Sequence, residues 1–374
     1  MSSSGSDVTI DNVKTRSGLD RDPSLDVIRA VALLGIIILN YHGYLNGTGA
    51  VGAFHDNWFV RIMDAWNGVL APSPVIFVMV AGISCALLTS GTSGKSGAEF
   101  DRWVLIRRGV FLFTIGSMFE WVWRGTILPY FGVYFVIAAF IFRWSRRNIA
   151  LLAGACTFVA AGIAWWRFVR EENGHFTGWM NPFEPNTPRN LLLRTFVDYT
   201  HPVFPWFAFF CVGLLIGKSY SRFREVRTKL IAPGIVALVV IYGISQSVQK
   251  NSDGLWQTLT STDPFDRGVL ATAGVTVSSV LVIALVSLAT DRFVDSPVID
   301  VLGRAGQLSL SLYLAHGFIF NAVVNWWSWV TPTGLDAALA LSFVVWVILV
   351  GFGAWWQRFL GRGPIERVYR SFGG

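Results

Sequence analysis

The chain is dominated by apolar runs of about 20 residues, which short polar segments separate. A run of this length can cross the hydrocarbon core of a bilayer as a helix, whereas a membrane β-strand needs only about 10 alternating residues. Lipid offers the backbone no hydrogen-bond partner, so the runs must form helices. Charged residues make up 14% of the chain, against roughly 25% in soluble domains. We therefore predict an all-α, polytopic transmembrane helix bundle.

Ten membrane spans are predicted from these runs, and two of them are both short and interrupted by a proline. Pro129 and Pro205 fall in the fourth and sixth spans, and both spans are short. We expect either of these two spans to be broken or strongly tilted. The predicted spans are residues 25–44, 68–89, 103–123, 127–142, 148–166, 201–217, 230–248, 268–289, 307–329 and 336–356.

The distribution of lysine and arginine predicts the orientation of the bundle. The segments placed inside carry 22 of the 30 cationic residues, including clusters at 102–108, 143–147 and 218–229. Positive charge in short loops marks the cytoplasmic side of a membrane protein. With an even number of spans, the N-terminus and the C-terminus are both predicted to be cytoplasmic.

Residues 1–24 are predicted to form a disordered cytoplasmic tail, and residues 25–374 a single membrane domain. The tail lacks the apolar segment of a cleavable signal peptide, so the first span must direct insertion. The three cysteines have neither disulfide nor metal-ligand spacing, and no metal is predicted. The net charge of +7 reflects the inside bias and attraction to anionic lipid, so no nucleic-acid partner is expected.

The first span holds the most informative polar residues. Ser24 is a predicted N-cap, and Asp26 can pair with Arg29 across one helical turn. Arg29 and Asn40 are eleven residues apart, which places them on one helix face about 16 Å apart along the axis. His42 falls on the opposite face if the helix continues. The structural alternative is that Arg29 only snorkels to the surface and Asn40 only joins helices.

Two further histidines and one outer loop are candidates for chemistry. His55 lies in the outer loop before the second span, and His316 lies midway along the ninth span. A histidine can move a proton near neutral pH, but it can also be simply solvated or packed. The outer loop at 167–200 mixes aromatic, amide and carboxylate side chains that suit a sugar, or that form an ordinary interfacial belt.

Several segments resemble known membrane proteins. Residues 25–36 read LDVIRAVALLGI and lead to Asn40, and residues 363–370 read GPIERVYR. Both resemble the ends of YeiB-like bacterial inner-membrane proteins. Residues 127–133 and 198–206 resemble segments of the heparan-α-glucosaminide N-acetyltransferase group, which is thought to share a transmembrane acyltransferase superfamily with the YeiB-like proteins.

This resemblance implies a bacterial plasma-membrane acyltransferase that takes an acyl group, expected to be acetyl, from cytoplasmic acyl-CoA. In that group an asparagine matching Asn40 works with a loop histidine. His55 is the nearest counterpart, although its spacing from Asn40 is longer, so His42 stays an alternative. The acceptor is expected to be a sugar, glycolipid or envelope polymer.

The working hypothesis places the CoA phosphates at Arg29, supported by Asp26, and at Arg107 and Arg108. Asn40 would orient the acyl carbonyl or stabilise its oxyanion. Two rival interpretations involve no covalent chemistry: a transporter or flippase, and a scaffold for an envelope-modifying complex. Membrane lipid is an expected partner, and the sequence leaves open whether the chain forms a homo-oligomer.

Overall fold

The computed structural model describes residues 22–47, 71–91, 94–252, 254–263, 266–331 and 334–373. These residues form a bundle of α-helices, with one 3-10 turn at Gly178–Met180, one π-helical segment at Asn321–Trp326 and no strand in the described ranges. The α-helices of the described ranges are α1 (Pro23–Gly47), α2 (Ser73–Thr89), α3 (Gly94–Phe119), α4 (Leu128–Ile141), α5 (Arg146–Glu172), α6 (Pro188–Phe196), α7 (Val203–Gly217), α8 (Tyr220–Asn251), α9 (Leu255–Thr260), α10 (Val269–Arg292), α11 (Pro297–Gly306), α12 (Ser309–Phe320), α13 (Leu335–Leu360) and α14 (Pro364–Gly373).

The polytopic helical fold is confirmed. Within the described ranges, five helices (α1, α5, α8, α10 and α13) are long and apolar enough to cross a membrane. α11 and the α12 segment meet at an 82° bend and supply a sixth span if they are one unit. α2, α4 and α7 are apolar but shorter. Within the described ranges, helical structure overlaps each of the ten predicted spans, and the crossing of all ten stays a prediction.

Of the two predicted interruptions, the one at Pro129 is absent from α4, and the one at Pro205 is confined to the start of α7. Pro129 and Pro205 lie in the first turns of α4 and α7. A proline in that turn removes no hydrogen bond, because the N–H groups there have no partner inside the helix. α7 does contain one non-helical residue, Phe204, just before Pro205. The expectation of a broken span therefore holds only for the start of α7.

The start of α1 differs from the prediction. The helix begins at Pro23, so Pro23 and Ser24 belong to the helix and not to the preceding tail. Asp22, not Ser24, is the N-cap, because the Asp22 carboxylate accepts a hydrogen bond from the Ser24 backbone N–H at 2.8 Å. The Ser24 hydroxyl instead meets the Tyr220 hydroxyl of α8 at 3.2 Å.

Polar contacts collect at two ends of the bundle. At one end Arg224 pairs with Asp22 at 3.1 Å and with Asp291 at 2.7 Å, which joins α1, α8 and α10. At the other end Arg194 pairs with Glu120 at 2.7 Å. We call the first end the inner face and the second the outer face, according to the predicted orientation.

The C-terminal helix α14 is fastened to the inner face through Glu366. Its carboxylate accepts the backbone N–H groups of Leu310 and Ser311, each at 2.9 Å, and the Ser311 hydroxyl. These N–H groups belong to the first turn of α12 and have no partner within that helix. A negative charge there also complements the helix dipole.

Glycine allows α2 and α7 to approach closely. A Cβ atom at Gly213 would lie 2.1 Å from the Met79 carbonyl oxygen, and one at Gly82 would lie 2.3 Å from the Phe210 carbonyl oxygen. Real Cβ contacts are never this short, so neither position accepts a side chain without a shift of the helices. Small residues at helix contacts are typical of membrane bundles, where packing drives association.

Replacing Gly213 by alanine is expected to destabilise the bundle by about 1–3 kcal/mol, because the added methyl group overpacks the α2–α7 contact. Thermal unfolding in detergent measures the effect. Gly154→Ala in α5 is the matched control, since nothing lies within 4 Å of a Cβ there. An unfolding temperature for Gly213→Ala equal to that of the control would contradict the close packing.

Candidate functional site

The inner end of the site is built around Arg29. Its guanidinium pairs with Asp26 at 2.5 Å, which confirms the predicted pairing along α1, and donates to the Ser84 hydroxyl of α2 at 2.6 Å. The Asp26 side chain is 3% exposed and the Arg29 side chain 21% exposed. The buried carboxylate therefore anchors a cation whose edge remains accessible.

Arg108 lies near this cation. Its guanidinium is 5.2 Å from the centre of the Tyr369 ring of α14. Burial raises the pKa of Tyr369 to about 12, and the positive charges of Arg108 and Arg29 oppose that shift. Both guanidinium groups thus act on one phenol at the inner face. Arg107 is exposed on α3. Of the two neighbouring arginines, only Arg108 contacts Tyr369 in the described structure.

The outer end of the site is an amide–imidazole pair. The Asn40 side-chain nitrogen lies 2.9 Å from His316 Nε2. His316 Nδ1 faces the Tyr313 backbone carbonyl, and the Tyr41 hydroxyl donates to the His316 carbonyl at 2.9 Å. These contacts join α1 to α12. His316 itself is fully buried.

The neighbouring hydrogen bonds determine which of Asn40 and His316 is the donor. A carbonyl oxygen only accepts, so the hydrogen bond to the Tyr313 carbonyl assigns the proton to His316 Nδ1. Nε2 is then the acceptor, and the Asn40 NH₂ group donates to it. Within the described residues the Asn40 amide oxygen and second N–H have no hydrogen-bond partner. The histidine therefore orients an amide that keeps both a donor and an acceptor for a ligand.

Aromatic rings surround the pair. The ring of His316 is 4.9 Å from that of Tyr313 and 5.6 Å from that of Trp123, and Tyr41 packs on Phe320 at 4.5 Å. The Tyr313 hydroxyl is in turn held by Thr126 at 3.0 Å. Such packing locks side-chain rotamers and keeps water away from the imidazole.

The predicted catalytic residues differ in accessibility. Asn40 is half-buried, whereas His42 and His316 are 2% and 0% exposed. His55 lies outside the described residues. Of the three candidates that the structure describes, only Asn40 can touch a ligand without a rearrangement. α1 continues through His42 to Gly47, so His42 does lie on the face away from Asn40.

The outer loop at 173–202 is fastened by ion pairs. Asp198 is buried and pairs with both Arg167 and Arg267. Arg194 pairs with Glu120 and lies 3.8 Å from the centre of the Tyr199 ring. These charged groups are engaged in ion pairs that hold the loop, so we do not assign them to ligand binding.

A second set of loop residues stays exposed at the outer face and combines rings, amides and one carboxylate. The set consists of His175, Phe176, Trp179, Asn181, Glu184 and Asn186. Within the described ranges no group of three or more His, Cys, Asp or Glu residues could hold a metal ion, and the three cysteines are buried free thiols.

The fold and the site define an integral membrane protein in which one helix carries a cation at its inner end and an oriented amide near its outer end. The chain belongs to the family described as "Heparan-alpha-glucosaminide N-acetyltransferase, catalytic", which matches residues 21–249. Residues 218–373 match a second family, described as "Protein of unknown function (DUF418)". These matches confirm the resemblance noted above. No curated protein matches the chain significantly.

The two family matches meet at the site. Asn40 lies in the first matched region, and His316 lies in the second. Their hydrogen bond therefore ties together parts of the chain that the two families describe separately. The sequence carries no signal for this pairing, because 276 residues separate the partners and neither position belongs to a recognisable spacing motif.

Proposed function

We propose that this protein is an acyltransferase that moves an acyl group, expected to be acetyl, from cytoplasmic acyl-CoA to an acceptor at the outer face. The observation that carries the proposal is the oriented Asn40 amide on the same helix as Arg29. The eleven-residue separation corresponds to about 16 Å along α1. Membership of an acetyltransferase family supports the same chemistry.

The donor would bind with its phosphates at the inner face. Arg29 and Arg108 offer guanidinium groups, which match phosphate oxygens in geometry and charge. Arg107, exposed one position away, is a second contact at the rim. The pantetheine arm would extend along α1, which brings the thioester carbonyl toward Asn40.

The transfer itself is a nucleophilic substitution at that carbonyl. An acceptor hydroxyl or amine attacks the thioester carbon, a C–O or C–N bond forms, and the C–S bond breaks. CoA leaves as a thiolate and takes up the proton that the acceptor loses. The Asn40 N–H would donate to the developing oxyanion, which is the type of contact that most lowers such barriers.

The base that removes the acceptor proton is proposed to be His55. The alternative, His42, is buried on the opposite face of α1 from Asn40 and would need a rearrangement to reach the acceptor. His316 is a positioning residue in this scheme, because it is fully buried and reaches the ligand only through Asn40. The exposed loop residues of the outer face, among them Trp179 and Asn181, are proposed to receive a sugar or glycolipid.

His316→Ala is expected to lower kcat about 10-fold to 100-fold and to leave KM for acyl-CoA nearly unchanged. The reason is that Asn40, without its hydrogen bond to His316, is no longer oriented to donate to the oxyanion. His316→Gln should recover part of the loss, since the glutamine oxygen can accept the Asn40 hydrogen bond. Steady-state kinetics and unfolding temperatures are measured for both variants. A proportional rise in KM, or an equal loss in His316→Gln, would contradict the positioning role.

The proposed function is tested with vesicles of known orientation. Radiolabelled acetyl-CoA is supplied at the inner face, and an amino sugar is supplied outside. We expect labelled sugar outside, in amounts that follow the consumption of acetyl-CoA. Movement of a solute without acetyl-CoA consumption would favour the transporter alternative.

A further inference from the structure

A cavity of about 430 Å³ opens at the inner face, and neither Arg29 nor Arg108 is among its lining residues. The inner ends of three neighbouring helices, α2, α4 and α7, surround it. The lining residues are Ala86, Leu87, Thr89, Ser90, Phe142, Arg143, Gly217 and Lys218. None of these residues belongs to the proposed acyl-CoA site.

The three helices whose ends line the cavity are short. α2, α4 and α7 contain 17, 14 and 15 residues, which corresponds to lengths of about 21–26 Å. The hydrocarbon core of a bilayer is about 30 Å thick. In a bilayer, helices of this length would leave a recess at one boundary of the core, where the apolar tails of lipids meet their phosphate groups.

The charged residues that line the cavity are all positive. Two of the eight lining residues, Arg143 and Lys218, are cations, and none is a carboxylate. One Arg143 nitrogen donates to the Gly94 carbonyl at 3.0 Å, and its other N–H groups have no hydrogen-bond partner among the described residues. Among the described residues, the Lys218 ammonium group has no hydrogen-bond or ion-pair partner.

Two further observations agree with this electrostatic picture. Arg146 donates to the Lys218 backbone carbonyl at 3.1 Å, which adds a third positive charge beside the cavity. Partial burial lowers the pKa of Lys218, and the neighbouring Arg146 charge lowers it further. A bound anion would oppose the effect of Arg146, because its negative charge favours the protonated ammonium group. The other walls, Ala86, Leu87 and Phe142, are apolar.

We propose that this cavity binds the phosphate group of an anionic phospholipid from the inner leaflet. Arg143 and Lys218 would contact the phosphate oxygens, and the apolar walls would contact the glycerol region and the first methylene groups. A soluble phosphate ester offers the same anionic oxygens, but it has no apolar portion for these walls. The proposal is independent of the acyltransferase chemistry, because the two sites share no residue.

The test measures which lipid the purified protein retains. Protein in detergent is mixed with equal amounts of phosphatidylglycerol and phosphatidylcholine, and bound lipid is counted by native mass spectrometry. The wild type is expected to retain phosphatidylglycerol selectively. Arg143→Ala/Lys218→Ala should reduce that retention at least tenfold, because two charge-assisted contacts are lost.

The matched control removes the same charge elsewhere on the inner face. Arg222 and Arg362 are exposed and lie outside the cavity, so Arg222→Ala/Arg362→Ala should retain the lipid within about twofold of the wild type. The charge-conserving Arg143→Lys/Lys218→Arg variant should also retain it. Unfolding temperatures show that each variant is folded.

Three results would overturn the proposal. Equal retention of both lipids by the wild type would mean that the cavity does not select an anion. Equal losses in the cavity variant and the control would indicate general surface charge. Adenosine 3′,5′-bisphosphate is also added to the wild type. If it displaces phosphatidylglycerol but not phosphatidylcholine, the cavity would be assigned to a soluble phosphate ester.

Discussion

Asn40→Ala is expected to lower the rate of acyl transfer by about 100-fold to 1000-fold while acyl-CoA affinity stays within about twofold of the wild type. The reason is that an oxyanion donor contributes mainly in the transition state, where charge develops on the carbonyl oxygen. Asn40 is the candidate that is both held by a buried partner and accessible to a ligand. Transfer rates and calorimetric affinities measured on the same preparation separate the two quantities.

The control for this variant is another amide at the outer face. Asn325 donates to the Tyr44 hydroxyl at 3.2 Å and to the Asn321 side chain at 2.6 Å, and it is exposed. Asn325→Ala therefore removes an outer-face amide without touching the Asn40–His316 pair, and its turnover should stay within about twofold of the wild type. Full activity in Asn40→Ala would remove this residue from the chemistry.

Arg29→Ala is expected to weaken acyl-CoA binding by about 10-fold to 100-fold, because charge-assisted hydrogen bonds to phosphate contribute roughly 1.5–3 kcal/mol. The loss should appear in KM more than in kcat, since phosphate contacts are made equally in the ground state and the transition state. Higher salt should reduce the difference between this variant and the wild type.

Arg29→Ala also removes the cation beside the buried Asp26 carboxylate, so stability has to be separated from binding. Arg29→Lys keeps a cation there and should bind acyl-CoA with intermediate affinity. Arg222→Ala, which removes an exposed inner-face arginine, should bind normally. Affinity that is unchanged in Arg29→Ala, in a protein shown to be folded, would place the CoA phosphates elsewhere.

Much of the fold could be predicted from hydrophobicity alone. In the part of the chain that the structure describes, helices overlap each of the ten apolar runs, because a span in lipid has no alternative way to satisfy its backbone. The Asp26–Arg29 pair was predictable for the same kind of reason, since both residues lie within one helix turn. Local geometry is sufficient for both predictions.

Contacts between distant helices were not predictable in this way. The Asn40–His316 hydrogen bond depends on how α12 packs against α1, and no local pattern encodes that packing. Asp22 replaces Ser24 as the N-cap because α1 starts one residue earlier than Ser24 and the Ser24 hydroxyl meets Tyr220 of α8. Helix ends respond to tertiary partners, and hydropathy does not report them.

The measurement that tests the central claim most directly is calorimetric titration of acetyl-CoA into the purified protein, with Arg29→Ala and Asn40→Ala alongside. The account predicts saturable binding at one site, weakened at least tenfold by Arg29→Ala and changed by less than about twofold by Asn40→Ala. The absence of saturable binding with acetyl-, succinyl- and longer acyl-CoA would contradict the acyltransferase and would favour the transporter.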